Sequence, residues 1–136
     1  MKARVYHIQV NVRDAAVSLP FWKALLGYLE YRTVLDERDI AGFSNGTTDL
    51  WLMATDWAHA SAGFHRKRAG LNHVAFRVES REDVDRFCRE FLEPRGLATL
   101  YGPPRDFPEY TAGYYAVFFE DPDRLKLEVA YVPPRH

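Results

Sequence analysis

The feature that most constrains this chain is that it says the same thing twice. The stretch VYHIQVNVRDAAVSLPFWKALLG (residues 5–27) can be laid over LNHVAFRVESREDVDRFCREFL (residues 71–92) with His7 on His73. Val10 and Val12 then meet Phe76 and Val78, Asp14 meets Ser80, and Phe21 meets Phe87. Each copy opens with strict apolar–polar alternation, passes a residue suited to cap a helix, and continues at helical spacing. Three strand-like runs follow in each half: residues 28–36, 38–44 and 49–55 in the first, and 97–101, 114–120 and 124–131 in the second. The turns NGTTD and DPD precede the last run of each half. A period of this size marks a duplicated structural unit.

The expected fold is therefore α+β, with two βαβββ modules. One spans residues 1–55, a linker follows at 56–69, and the second module spans 70–136. Helices cover one face of each mixed sheet, and the opposite faces curve into a shared cup. In the second helix Val84, Phe87, Cys88 and Phe91 form a buried stripe, so the single cysteine reads as core packing. In the first, Pro20 removes an interior N–H, so that helix is expected to start at Ser18 or to kink.

Alternation then assigns the cup. Ile8, Val10 and Val12 face the helix, leaving His7, Gln9 and Asn11 on the cup face. Val74, Phe76 and Val78 leave His73, Ala75 and Arg77 there. In LKLEVAY, residues 125–131, Leu125, Leu127 and Val129 are buried, so Glu128 points into the cup. Two imidazoles at equivalent repeat positions and one carboxylate suit a single divalent ion (Mn, Ni, Co, Zn or Fe) with positions left open for water or substrate.

Composition removes several other classes. A net charge of −1 with mixed signs gives no footprint for nucleic acid. The basic run HRKR, residues 65–68, reads as a solvated turn in the linker. No apolar run reaches the roughly 20 residues of a membrane helix, and the first residues enter a strand pattern directly, so a soluble cytoplasmic protein is expected. Its 136 residues, 47% of them hydrophobic, suffice for a core without disulfides.

The segments HIQVNVRD, FWKALLG, LNHVAFRV and FFEDPDRLKLEV resemble the vicinal oxygen chelate superfamily, which includes glyoxalase I, fosfomycin-resistance proteins, extradiol dioxygenases and bleomycin-binding proteins. The resemblance covers essentially the whole chain and is specific for the superfamily rather than for a reaction. It implies metal ligands at His7, His73 and Glu128. A fourth family position is expected to be empty, because aligning Phe43 with Phe119 sets Leu52 opposite Glu128. Arg124 stands where the family usually has glycine.

The loop GPPRDFPEYTAGYY, residues 102–115, offers Arg105, Tyr110 and Tyr114 for substrate binding, together with Arg77, Gln9 and Asn11 from the cup. Tyr115 and Glu109 are the candidate catalytic acid–base residues. The expected function is a metal-dependent enzyme, of lyase, isomerase or group-transfer type, acting as a Lewis acid on a small, anionic, oxygen-chelating substrate. An Fe(II) extradiol-type dioxygenase and a metal-free drug- or metabolite-binding protein remain as alternatives. Trp51, Trp57 and Phe64 are available for a subunit contact, and a homodimer is expected.

Overall fold

The computed structural model describes residues 1–135. The chain divides into two compact units, Met1–Phe64 and a second from His65 onward. Each contains a four-stranded mixed sheet with helix on one face, as the repeat predicts.

In the first unit the order along the chain is β1 (His7–Val12), α1 (Ala15–Tyr28), β2 (Arg32–Asp36), β3 (Ile40–Ser44) and β4 (Asp49–Ala54). The sheet runs β1-β4-β3-β2, with β1 and β4 parallel and the other pairs antiparallel. Asp14 caps α1 by accepting from the Ala16 N–H at 3.0 Å. The helix thus begins three residues before Ser18. Pro20 is tolerated inside it because Pro20 and Ala16 both face solvent, so water can reach the Ala16 carbonyl that loses its donor. Leu19, Trp22, Leu25 and Leu26 recur at helical spacing and are buried, as are Val12, Ala41, Phe43, Leu50 and Leu52.

The second unit holds β5 (His73–Val78), α2 (Arg81–Phe87), β6 (Leu100–Asp106), β7 (Tyr115–Glu120) and β8 (Lys126–Tyr131). Its sheet order, β5-β8-β7-β6, matches that of the first unit, again with one parallel pair. Ser80 caps α2 through the Asp83 N–H at 3.1 Å. The helix widens into a π turn at Cys88–Leu92 and closes with a 3₁₀ turn at Glu93–Arg95, where Pro94 has no N–H to continue it. The extra residue in that turn shifts the buried stripe to Val84, Phe87, Phe91 and Leu92, and Cys88 slips to the half-buried margin. The Phe87 ring lies 5.2 Å from Phe91 and 5.3 Å from Phe119, joining helix to sheet.

Three local expectations change. Residues 102–106 are not loop but the continuation of β6, whose pairing with β7 shifts register between Leu100 and Arg105. Prolines fit there because β6 is an edge strand and the irregular stretch asks for no ladder donor. The HRKR run is only partly solvated: Arg66 pairs with Glu120 at 2.8 Å and reaches the Arg124 carbonyl at 3.3 Å. Arg124 occupies the left-handed region at φ 66°, which costs about 1 kcal/mol, while its Nε reaches Glu120 at 3.3 Å. No helix among the described residues is long and apolar enough to cross a membrane.

Gly42 is required by a close approach. It pairs across strands with Trp51, and a Cβ there would fall 2.4 Å from the Trp51 ring carbon Cζ3. The indole therefore lies over Gly42 on the face away from α1. We expect Gly42→Ala to displace that ring and destabilise the unit by about 1–3 kcal/mol. Chemical denaturation together with tryptophan fluorescence, read in a Trp57→Phe background against the emission of the buried Trp22, checks this; unchanged emission and midpoint would refute it.

Candidate functional site

The second unit gathers most of the chemistry, and strand register explains how. His73 pairs with Lys126 across the parallel β5–β8 ladder, Ala75 pairs with Glu128, and Glu128 pairs with Phe118 across β8–β7. Residues directly opposite share a face, so His73, Lys126, Glu128 and Phe118 all lie on the side away from α2. This is the face the alternation assigned to His73 and Glu128.

Glu128 is only 2% exposed. Its Oε2 lies 3.4 Å from His73 Nε2, and its Oε1 accepts a hydrogen bond from the Tyr114 hydroxyl. The imidazole is oriented from behind. Asn72 Nδ2 donates to the Arg66 carbonyl at 3.1 Å, which turns Asn72 Oδ1 toward His73 Nδ1 at 2.8 Å. A carbonyl oxygen can only accept, so His73 Nδ1 carries the hydrogen. Nε2 is then left facing a carboxylate oxygen. Two electron-rich atoms face each other, an arrangement stabilised by a proton or a cation between or beside them.

Burial, reinforced by the bond to Glu128, pushes the Tyr114 phenol well above the ordinary range, so it stays protonated and acts toward Glu128 as a donor. Behind it lies a second apolar cluster, on the sheet face away from α2, in which Phe107, Ala116, Phe118 and Ala130 are buried against Leu100, Tyr114 and Val132. A cavity of about 1040 Å³ opens over this face, and His73, Tyr110, Tyr114, Phe118, Lys126 and Glu128 are among its lining residues. Its volume lies at the upper end of small-molecule sites.

Other expected site residues lie elsewhere. Tyr115 is on the opposite face of β7: its hydroxyl donates to Asp85 of α2 at 2.6 Å and the Arg81 guanidinium covers its ring at 4.1 Å. The alternation that turns Tyr114 toward Glu128 necessarily turns Tyr115 toward the helix. Glu109 is exposed in the turn after β6 and does not line the cavity. Arg77 shares the face of His73, but its guanidinium donates to the Val132 carbonyl at 2.6 Å and fastens the chain beyond β8. Arg105 lies over the Phe107 ring at 3.9 Å and bonds the Asp106 carbonyl. Tyr110 does line the cavity, stacked on Phe107 at 5.5 Å.

In the first unit His7, Gln9 and Asn11 share the face away from α1, exposed, with Gln9 Nε2 3.4 Å from Met53 Sδ. The residue equivalent to Glu128 is Trp51, not Leu52. His7 pairs with Asp49 as His73 pairs with Lys126, so two residues further on Trp51 matches Glu128, while Leu52 is buried on the α1 side. That position accordingly offers an indole and no ligand atom. Among the described residues no group of three or more His, Cys, Asp or Glu side chains is gathered as a metal site; His73 and Glu128 form a pair within their unit.

Sequence reasoning passed over Lys126 and Asn72. Lys126 shares the alternation that singled out Glu128 and could have been found by it. Asn72 immediately precedes His73, but its role depends on the backbone position of Arg66, which no pattern announces.

A sequence profile of the Glyoxalase/Bleomycin resistance protein/Dioxygenase superfamily matches residues 4–129. The uncharacterised protein YqjT of Bacillus subtilis is 34% identical over 127 residues, covering 92% of this chain and 96% of that one. The crystal structure of a candidate glyoxalase from Bacillus halodurans superposes with a TM-score of 0.85 at 37% identity, covering 94% of this chain and 95% of the other. Lactoylglutathione lyase from Agrobacterium tumefaciens shares the fold, with a TM-score of 0.69 at 18% identity and coverage of 96% and 94%.

The Tyr115 phenol gives a test of this geometry. Burial, then its bond to Asp85, push it up to about 12, against about 10 for an unfolded tyrosine. Between those values the unfolded chain has lost a proton that the folded chain retains. Stability is thus fully present below pH 10 and declines as pH rises through about 12. Denaturant titrations at both ends of that window should show a smaller alkaline loss in Tyr115→Phe than in the parent. Equal losses would place Tyr115 outside this contact.

Proposed function

The chain belongs to the glyoxalase/bleomycin resistance protein/dioxygenase superfamily, and from that premise we propose that it is a divalent-metal-dependent enzyme acting on a small oxygen-chelating substrate. The observation that carries this reading is the facing pair His73 Nε2 and Glu128 Oε2, 3.4 Å apart, with the carboxylate buried. An imidazole and a carboxylate, each fixed from behind, form a donor set for a borderline divalent ion such as Mn, Ni, Co, Zn or Fe. His7, at the matching position of the first repeat, is the third ligand. It comes from the same chain or from a second copy.

When bound, the ion supplies Lewis acidity toward a substrate oxygen, which suits lyase, isomerase or group-transfer chemistry. The chain's own residues prepare the site. Asn72 orients His73 through Nδ1, and the Tyr114 hydroxyl donates to Glu128 Oε1, so that Oε2 is the oxygen left to bind. Tyr110, Phe118 and Tyr114 give the cavity apolar walls that keep bulk water from a seated substrate.

Elemental analysis of protein purified without added metal is expected to give about one divalent ion per chain. His7→Ala, His73→Ala and Glu128→Gln should each abolish stoichiometric retention. In the parent, added metal should raise the melting temperature, because a ligand that binds only the folded state stabilises it. Full occupancy in all three variants would end the assignment.

We further propose a homodimer. β1 and β5 are each an edge strand of their own sheet, Trp57 is 89% exposed, and Phe64 is 38% exposed. Such edges and aromatics are normally covered. Light scattering at micromolar concentration should return twice the 15.8 kDa chain mass; a monomer mass would overturn this.

A further inference from the structure

We infer that Lys126 sets the specificity of this cavity, which takes a flat aromatic acid with its carboxylate against the Lys126 ammonium and its ring against Tyr110. The inference rests on the preceding section only in taking the cavity as the substrate site; it does not require the metal.

Lys126 lines the cavity, pairs in register with His73 and lies two residues from Glu128 on the same face. The two carboxylates nearest to it by register are already committed. Glu120, its partner across β7–β8, is held by Arg66 at 2.8 Å and Arg124 at 3.3 Å. Glu128 accepts from the Tyr114 hydroxyl at one oxygen and faces His73 at the other. Lys126 itself forms no ion pair with any described carboxylate. Its ammonium rests instead on aromatic surface, 5.4 Å from the Phe118 centroid and 5.5 Å from that of Tyr101, with the Tyr101 hydroxyl at 3.5 Å. A cation held on ring faces is partly stripped of water, and its attraction for an incoming anion is correspondingly less screened.

The rest of the lining agrees in sign and shape. Among the described residues lining it, the other full cation is Arg135 and the only carboxylate is Glu128, one of whose oxygens is taken by the Tyr114 hydroxyl. Tyr110 is braced by stacking on Phe107, with ring planes 5° apart, and Phe118 is packed edge-on by Phe107 at 5.2 Å and Tyr101 at 5.3 Å. Rigid ring surfaces at fixed orientation favour a planar apolar body over a flexible chain. A carboxylate bound at Lys126 would sit beside His73 and Glu128, so the reacting end of such a substrate would lie where the polar groups converge.

The test is titration calorimetry of the full chain, stripped of metal and again with one equivalent of Mn²⁺. The probes are benzoate, benzamide (ring without charge) and acetate (charge without ring). Benzoate should saturate below about 10 mM, with benzamide and acetate each at least about tenfold weaker. Lys126→Met should weaken benzoate about tenfold or more in the stripped protein, and Lys126→Arg should restore it to within about threefold. Circular dichroism confirms that each variant is folded. Benzoate binding unchanged in Lys126→Met, benzamide equal to benzoate, or no saturable benzoate binding by the parent would each overturn the inference. Failure to retain metal would leave the benzoate result standing, and loss of benzoate specificity with metal uptake intact would overturn the role of Lys126 alone.

Discussion

A buried carboxylate is the constraint around which the second unit is built. Glu128 has almost no access to water, and an unpaired charge in that position would cost several kcal/mol. One oxygen is answered by the Tyr114 hydroxyl, and the other faces the His73 ring, where a shared cation would answer it. Each answer requires further structure. Tyr114 must be packed, which the Phe107–Phe118–Ala130 cluster provides. His73 must be turned, which Asn72 and the Arg66 carbonyl provide. The cluster exists in turn because β6 bends away through its register shift and lets the following turn fold back over the sheet. Removing the carboxylate would leave these features without a common reason.

The same register in the first unit shows what duplication leaves free. At the row of Glu128 and Phe118, the first repeat carries Trp51 and Gly42. The large side chain has moved to the other strand, and the glycine makes room for it. At the row of His73 and Lys126, it carries His7 and Asp49, so a cation has become an anion. The helix-facing positions stay apolar in both units because core packing admits no exchange of that kind. The exchanges of charge and of aromatic position described here fall on the faces turned away from the helices, where a side chain answers to a ligand or a second surface.

Much of this was legible in the sequence because it depends on local periods. The duplicated order of elements, the caps Asp14 and Ser80, and the placing of His73 and Glu128 on one face all follow from alternation and helix signals that act over a few residues. The errors arose where a decision needed non-local register. Aligning phenylalanines sets Leu52 opposite Glu128, whereas the ladder from His7 to Asp49 fixes Trp51. The prolines of β6 read as loop because an edge strand with a bulge places no demand that sequence can display. Tyr115 was grouped with Tyr114 as though both belonged to a loop; once β7 begins there, adjacent residues must part to opposite faces. Arg77 was assigned to the correct face, but a long side chain on a face still chooses its partner, and the Val132 carbonyl was nearer.

The orienting chain behind His73 also ties the linker to the site. Arg66 belongs to the short basic run after the first unit, and its side chain is anchored by Glu120. That anchor fixes where its carbonyl points, the carbonyl fixes the Asn72 amide, and the amide fixes which nitrogen of His73 is left for Glu128. The last two steps are hydrogen bonds, so the direction of His73 follows from the path of the linker as well as from β5. A linker is ordinarily free to vary in path and length. Here its departure point is held by one charge and one carbonyl on β7 and its turn, Glu120 and the carbonyl of Arg124. The left-handed strain at Arg124 belongs to the same arrangement, because that conformation presents both the carbonyl to Arg66 and the guanidinium to Glu120. A glycine there would relieve the strain and keep the carbonyl, but would surrender the second cation that holds Glu120 away from Lys126.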